Sequence, residues 1–219
     1  MLFSRRIAAL SIAALVIVAS RSAKADDGAQ IAAAVQKAQS SATSFQMSLA
    51  GLSNVTSTMT VVLPDRVRSV MSFGPVTMET IVVGTASYSR VNGGAWLVSQ
   101  IGNRENFAKQ LMSSFANQST STVLPDEVDA GVTYGAFSTT MAAPLAMPGS
   151  GPTAATGAPL TVHCSYDKVT YLPHACKMEG SGAPFSFTMT YSAWNDPGNV
   201  VDVPADAPAP AASAAPAAN

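Results

Sequence analysis

Between Met59 and Trp96 apolar residues recur at alternate positions, and turn signals break the run at short intervals. The stretch reads MTVVLPDRVRSVMSFGPVTMETIVVGTASYSRVNGGAW. A period of two marks extended chain, because successive side chains of a strand point to opposite faces. Val67, Ser69, Met71 and Phe73 fall on one face, while Arg66, Arg68, Val70 and Ser72 fall on the other. Leu63-Pro64-Asp65, Gly74-Pro75, Gly84 and Asn92-Gly93-Gly94 supply the punctuation, the last being a strong hairpin signal. Val76 to Val83 is more uniformly apolar, with Glu79 its only charge, as in a central strand. A chain with this pattern is constrained to a curved antiparallel sheet with one apolar face and one wet face.

The flanking segments fit the same plan. Ile31, Val35 and Ala38 recur at helical spacing within Ala29–Ala38, and Asp26 and Asp27 precede them, which suits a helix N-terminus. Phe45, Met47 and Leu49, then Val55, Ser57, Met59 and Val61, continue the strand alternation. From Asn103 the period changes: Phe107, Leu111 and Phe115 are spaced by four, which predicts an amphipathic helix of about four turns lying on the sheet. Gly131–Thr140 reads as a strand, and Ala142–Pro159, rich in Ala, Pro, Gly and Thr, as a mobile loop. Thr161–Tyr166 and His174–Gly180 form a predicted hairpin, with Tyr166 opposite His174 and Val162 opposite Met178 if Cys164 faces Cys176. Phe185, Phe187, Met189 and Tyr191 alternate cleanly before the turn Asn195-Asp196-Pro197-Gly198. From Pro204 to Asn219 the chain is Ala- and Pro-rich and reads as a disordered tail.

Residues 1–25 read as a secretory signal rather than as part of the fold. Arg5 and Arg6 form a basic start, Ile7–Ala19 is a short apolar run, and Ala23-Lys24-Ala25 supplies a small-x-small cleavage pattern. The apolar run is too short for a membrane span. Ser4-Arg5-Arg6 hints at twin-arginine export, but Ile7-Ala8-Ala9 does not continue that motif. Cleavage after Ala25 gives a periplasmic protein with domain limits of 26–203. Twelve Lys and Arg stand against thirteen Asp and Glu; four of the basic residues lie in the signal, which leaves eight against thirteen and a net charge of −5. An acidic, charge-poor chain of this kind is a poor partner for nucleic acid. In an oxidising compartment its two cysteines, Cys164 and Cys176, favour a disulfide.

No catalytic constellation emerges. His163 and His174 lack partners at ligand spacing, and two Cys twelve apart lack the paired spacing of zinc sites, so neither a metal nor a cofactor is expected. Ser165-Tyr166-Asp167-Lys168 matches S-x-x-K, but it ends a predicted strand instead of opening a helix, and no Lys-Thr-Gly follows. Methionine is more informative. Nine of the ten remain after the signal, and Met47, Met59, Met71 and Met189 fall on the more apolar faces of their strands, with Met78 and Met178 as additions. Flexible, polarizable Met fills irregular gaps and also lines adaptable apolar sites. The two readings are an ordinary core and a cavity for acyl chains, with Arg66, Arg68 or Glu79 at its rim.

Leu63-Pro64-Asp65-Arg66-Val67-Arg68, Glu79-Thr80-Ile81-Val82-Val83-Gly84 with Tyr88, and Gly93-Gly94-Ala95-Trp96 resemble segments of the periplasmic carrier LolA and the related LppX/LprG lipid-binding proteins. Tyr166-Asp167-Lys168, Leu172-Pro173 and Thr188-Met189-Thr190-Tyr191 are similar as well. The resemblance implies an α+β fold, a half-open antiparallel β-barrel or curved sheet wrapped over a few helices. It implies a non-enzymatic, monomeric carrier of a lipid or lipoprotein acyl chain. The expected ligand-binding set is Met47, Met59, Met71, Phe73, Arg68, Phe187 and Met189, with Arg68 matching the arginine that helps control loading in LolA. Strand alternation alone sets Arg66 and Arg68 opposite Met71. The chain departs from the pattern in having the cysteine pair and the Ala/Pro tail, and in lacking an anchor cysteine. An alternative is an envelope sensor or assembly module of the same fold, as in RseB, with a membrane-associated protein as partner.

Overall fold

A computed structural model describes residues 25–101, 120–141, 160–180 and 186–210. The predicted signal up to residue 24, the helix predicted from Asn103, the Ala142–Pro159 loop, Phe185 and the tail beyond residue 210 lie outside the described residues. The period-two segments all become strands: β1 (Ser44–Leu52), β2 (Val55–Val62), β3 (Arg66–Phe73), β4 (Val76–Val83), β5 (Ala86–Val91) and β6 (Leu97–Gln100). They are followed by β7 (Thr120–Asp129), β8 (Val132–Met141), β9 (Leu160–Tyr166), β10 (Pro173–Gly180) and β11 (Ser186–Ser192). Helix α1 runs from Ala25 to Ser41, longer at both ends than its apolar repeat. None of the described helices is long and apolar enough to cross a membrane.

The strands form one open antiparallel sheet of eleven in the order β6-β5-β4-β3-β2-β1-β11-β10-β9-β8-β7. It curves without closing into a barrel, and among the described residues a single helix accompanies it. Two meanders, β1–β6 and β7–β11, meet where β1 pairs with β11, with Met47 opposite Tyr191 and Leu49 opposite Met189. Asn92 and Gly93 both take positive φ, 50° and 70°, in the turn between β5 and β6, a conformation that Asn and Gly adopt at least cost. β4 is an interior strand, as its apolar run predicts.

Pairing across the ladders sorts the side chains into an inner and an outer face. Inner residues include Phe45, Met47 and Leu49 of β1, Met59 and Val61 of β2, and Val67 and Met71 of β3. On the second meander, Phe137, Val162, Cys164, Cys176, Met178, Phe187, Met189 and Tyr191 share that face. Most of these residues are buried with Val35 of α1 in one core, and Ile31 and Ala32 pack against it. Helix α1 approaches β7 closely at Gly28, where an added Cβ would lie 2.6 Å from the Ser121 carbonyl carbon and 2.9 Å from the Thr122 nitrogen. Cys164 and Cys176 are cross-strand partners and form a disulfide in this core.

The outer face has a second core. After β11, Trp194 still packs on Phe45 of the first core with ring centroids 4.8 Å apart, and the chain then turns at Asn195–Gly198 before reaching the second. Buried Asn199 donates to the Ala193 carbonyl at 2.6 Å and accepts from Gln46 Nε2 at 3.0 Å. Val201 then covers Ile81, Ala86, Tyr88 and Trp96, while Arg66 donates to its carbonyl at 2.9 Å. Trp96 Nε1 donates to Asp206 at 2.9 Å, and Ala207 packs on the same cluster. Packing therefore continues past residue 203, into the segment whose composition suggested a disordered tail.

Two further features differ from the sequence reading. β7 (TSTVLPDEVD) carries Pro125 and three acidic residues, which hide its alternation. It is an edge strand with a register shift between Leu124 and Glu127, the setting in which a strand tolerates proline. In the β9–β10 hairpin Tyr166 faces Pro173, not His174, because the ladder slips between Pro173 and Ala175. His174 instead stacks on Tyr134 at 4.0 Å and meets Asp129 at 2.9 Å. Val162 does face Met178.

Candidate functional site

The inner face has two halves of different character. Over β1 and β8–β11 it is filled: Met47, Phe187 and Met189 lie in the packed core with the disulfide. A crevice of about 20 Å³ remains there, between Val35 and Gln39 of α1 and Phe137, Tyr191 and the disulfide. That is room for a water, not for a hydrocarbon chain.

Over β3–β6 the same face is open at the end near the β3–β4 and β5–β6 turns, whereas at the other end Val67 is buried in the core and Val82 packs against it. Met71 is half-buried, Phe73 is 44% exposed, Met78 37% and Leu97 71%, and Val76 and Val91 are exposed beside them. The register explains why these residues meet. Phe73 pairs with Val76, Met71 with Met78, and Met78 with Val91. Leu97 faces Ser89 one row further along. Strand partners stand about 5 Å apart, so the side chains form one contiguous apolar surface near the β3–β4 and β5–β6 turns. Met59 sits at its boundary with the filled half, packed against the core.

Six of the seven expected binding residues thus share one face, but they divide. Met71 and Phe73 lie on the open half, Met59 at the boundary, and Met47, Phe187 and Met189 within the packed half. The sequence singled out Met78 as an addition and missed Val76, Val91 and Leu97. The uniform apolarity of β4 hides which of its residues face inward. Only the registers across the Gly84-Thr85 and Asn92-Gly93 turns carry the inner face onto β5 and β6.

Arg68 does not join this surface. It is on the outer face, as alternation requires, where its Nη2 lies 2.8 Å from Glu79 Oε1. Arg90 Nη2 approaches the other carboxylate oxygen at 2.6 Å and stacks over Trp96 at 4.3 Å. Glu79 is only 8% exposed. Burial alone would raise its pKa, but hydrogen bonds from Arg90 and Arg68 more than offset this and hold the carboxyl below its ordinary value. Arg66 is likewise engaged from outside, by Val201 and Asp202. The three arginines brace the outer wall in this structure.

The histidines and the S-x-x-K stretch come to no shared centre. His163 is on the outer face 3.9 Å from Glu179. Asp167 caps its own loop, accepting from the Val169 and Thr170 nitrogens at 3.0 and 2.7 Å, and these bonds, Thr170's first, lower its pKa. Lys168 pairs with Asp126 at 2.7 Å, and Ser165 Oγ donates to the Ala175 carbonyl.

The geometry defines a class: an open antiparallel sheet whose inner face is part filled by a helix and part left apolar. The open sheet, as a fold, is found in solved structures as well. LprF from Mycobacterium bovis superposes with a TM-score of 0.59 at 15% identity, covering 85% of this chain and 100% of that one. The lipoprotein LppX from Mycobacterium tuberculosis gives 0.53 at 17% identity, covering 80% and 99%. At such identities the likeness is one of fold, and the fold is the one the LolA and LppX/LprG resemblance implied. No protein-family model matches the chain, and no curated protein matches it in sequence.

Proposed function

We propose that this chain is an exported, periplasmic binding protein or carrier for a lipid or lipoprotein acyl chain, held on the open half of the inner face. The observation that carries this reading is the exposed apolar surface of Phe73, Val76, Met78, Val91 and Leu97. Monomeric soluble proteins leave contiguous surfaces of this kind open mainly where something binds. Met71 and Met78 at its centre suit hydrocarbon of variable shape. The shared fold with LprF and the lipoprotein LppX supports an envelope setting.

Native mass spectrometry of protein purified from the envelope tests it, alongside Met78→Asp. Met78 is partly exposed, so Asp there should leave the melting temperature within a few degrees. It should reduce co-purified lipid on the order of tenfold, since it sets a charge against hydrocarbon. A wild-type protein that remains free of lipid, or a variant that retains all of it, would refute the assignment.

A further inference from the structure

Both cysteines of the chain are committed to the Cys164–Cys176 disulfide. The sulfur left open to oxidation is therefore that of the methionine thioethers. Their environments divide. Met47, Met178 and Met189 are 9%, 1% and 7% exposed within the packed core, and Met59 packs against it. Met71 and Met78 are on the open half, the first half-buried and the second 37% exposed.

These two are direct cross-strand partners on β3 and β4, so their Cβ atoms stand about 5 Å apart on one face. Phe73 and Val76, the next inner pair toward the turn, are 44% and 41% exposed. Val91 continues the row beyond Met78. Two thioethers thus lie side by side in the middle of the exposed apolar surface, within reach of a water-borne solute. The core sulfurs are shielded from the same solute by their packing.

We infer that Met71 and Met78 form a paired oxidation site, at which a peroxide converts thioether to sulfoxide and so turns the open half from apolar to polar. This deepens the carrier reading, as regulation of the same site, and rests on it. A sulfur lone pair attacks one peroxide oxygen, and the S–O bond forms as the O–O bond breaks. The departing hydroxide takes the remaining proton and leaves as water, so sulfur loses two electrons and the peroxide gains them. The product is a strong hydrogen-bond acceptor where a flexible apolar side chain stood. Hydrocarbon laid against it strips its water and returns no donor, which weakens binding. The fold should survive, because the pair lies on an exposed surface and not in the core. The change is reversible, since a dithiol-driven sulfoxide reductase removes the oxygen as water and leaves a disulfide on the reductant.

Hydrogen peroxide, quenched with catalase, tests the inference on the full chain. Peptide mass mapping reads the oxidised positions, and N-phenyl-1-naphthylamine, an uncharged fluorescent apolar probe, reads the open half. Wild type and the double variant Met71→Leu/Met78→Leu are each compared with themselves before and after treatment. Met78 and then Met71 should gain oxygen ahead of Met47, Met178 and Met189. Oxidised wild type should bind the probe about tenfold more weakly, keep its melting temperature within a few degrees, and recover with methionine sulfoxide reductases A and B. The double variant should change by less than about twofold on treatment. Core methionines that oxidise as fast as the pair overturn the selectivity. An equal loss in the double variant, or no loss in wild type bearing both sulfoxides, overturns the switching role while leaving the carrier reading intact. Failure of untreated wild type to bind the probe counts against the carrier reading and removes the switching role with it, while the mass map still decides whether the pair is the oxidation site.

Discussion

Glu79→Gln isolates the charge that organises the outer wall. The substitution keeps size and one acceptor oxygen but removes the negative charge that faces Arg68 and Arg90. A charge-assisted hydrogen bond to a buried group contributes about 1.5–3 kcal/mol. The Arg90 contact, 2.6 Å long with the arginine 28% exposed, falls near that range. The Arg68 side chain is 52% exposed, so solvent screens its share to well under about 1 kcal/mol. The variant should therefore lose about 2 kcal/mol at neutral pH, read from urea denaturation as a shift of midpoint at constant slope. The loss should also depend on pH in a defined direction. The folded pKa of Glu79 is depressed below 4.5, so its stabilisation is complete above that value and is lost as pH falls through the folded pKa. Wild type and variant should converge in acid. A neutral-pH loss under about 0.5 kcal/mol, or a gap unchanged to about pH 3, would refute the reasoning that two guanidinium bonds outweigh the burial of this carboxylate.

Two further perturbations address the inner face. The disulfide has a sequence separation of 12, and replacing both Cys164 and Cys176 with Ala should cost about 3 kcal/mol by releasing a short loop in the unfolded chain. That corresponds to roughly 6–12 °C in melting temperature for a domain of this size, and a loss below about 1 kcal/mol would show that the bridge does not constrain the unfolded state. Gly28→Ala should reverse the usual helix preference. Alanine normally gains up to about 1 kcal/mol over glycine in a helix, but here its Cβ would lie against the Ser121 and Thr122 backbone, and a loss of about 1–3 kcal/mol is expected. A stabilised variant in thermal denaturation would disprove the close approach of α1 to β7.

The sequence alone carried the alternation, and alternation is a property of the extended backbone. It was enough to set Arg66 and Arg68 opposite Met71, to make strands of Arg66–Phe73 and Val76–Val83, and to pair Val162 with Met178 once Cys164 was set against Cys176. It failed where local chemistry masks the period, as in β7, where Pro125 and the acidic residues sit at a bulge. It also failed where one extra residue shifts a ladder, as at His174. Long-range packing decided the rest. The pairing of β1 with β11 is set by which apolar surfaces cover one another. The path of Val201–Ala207 over Trp96 is likewise a matter of tertiary contact, although the segment itself reads as Ala- and Pro-rich tail. The fate of the methionines shows the division most clearly. Met47 and Met71 are alike in sequence, each on the apolar side of an alternating strand. Residues distant in sequence, Val35 and Tyr191 among them, pack one into the core, while the other remains half-buried on the open half.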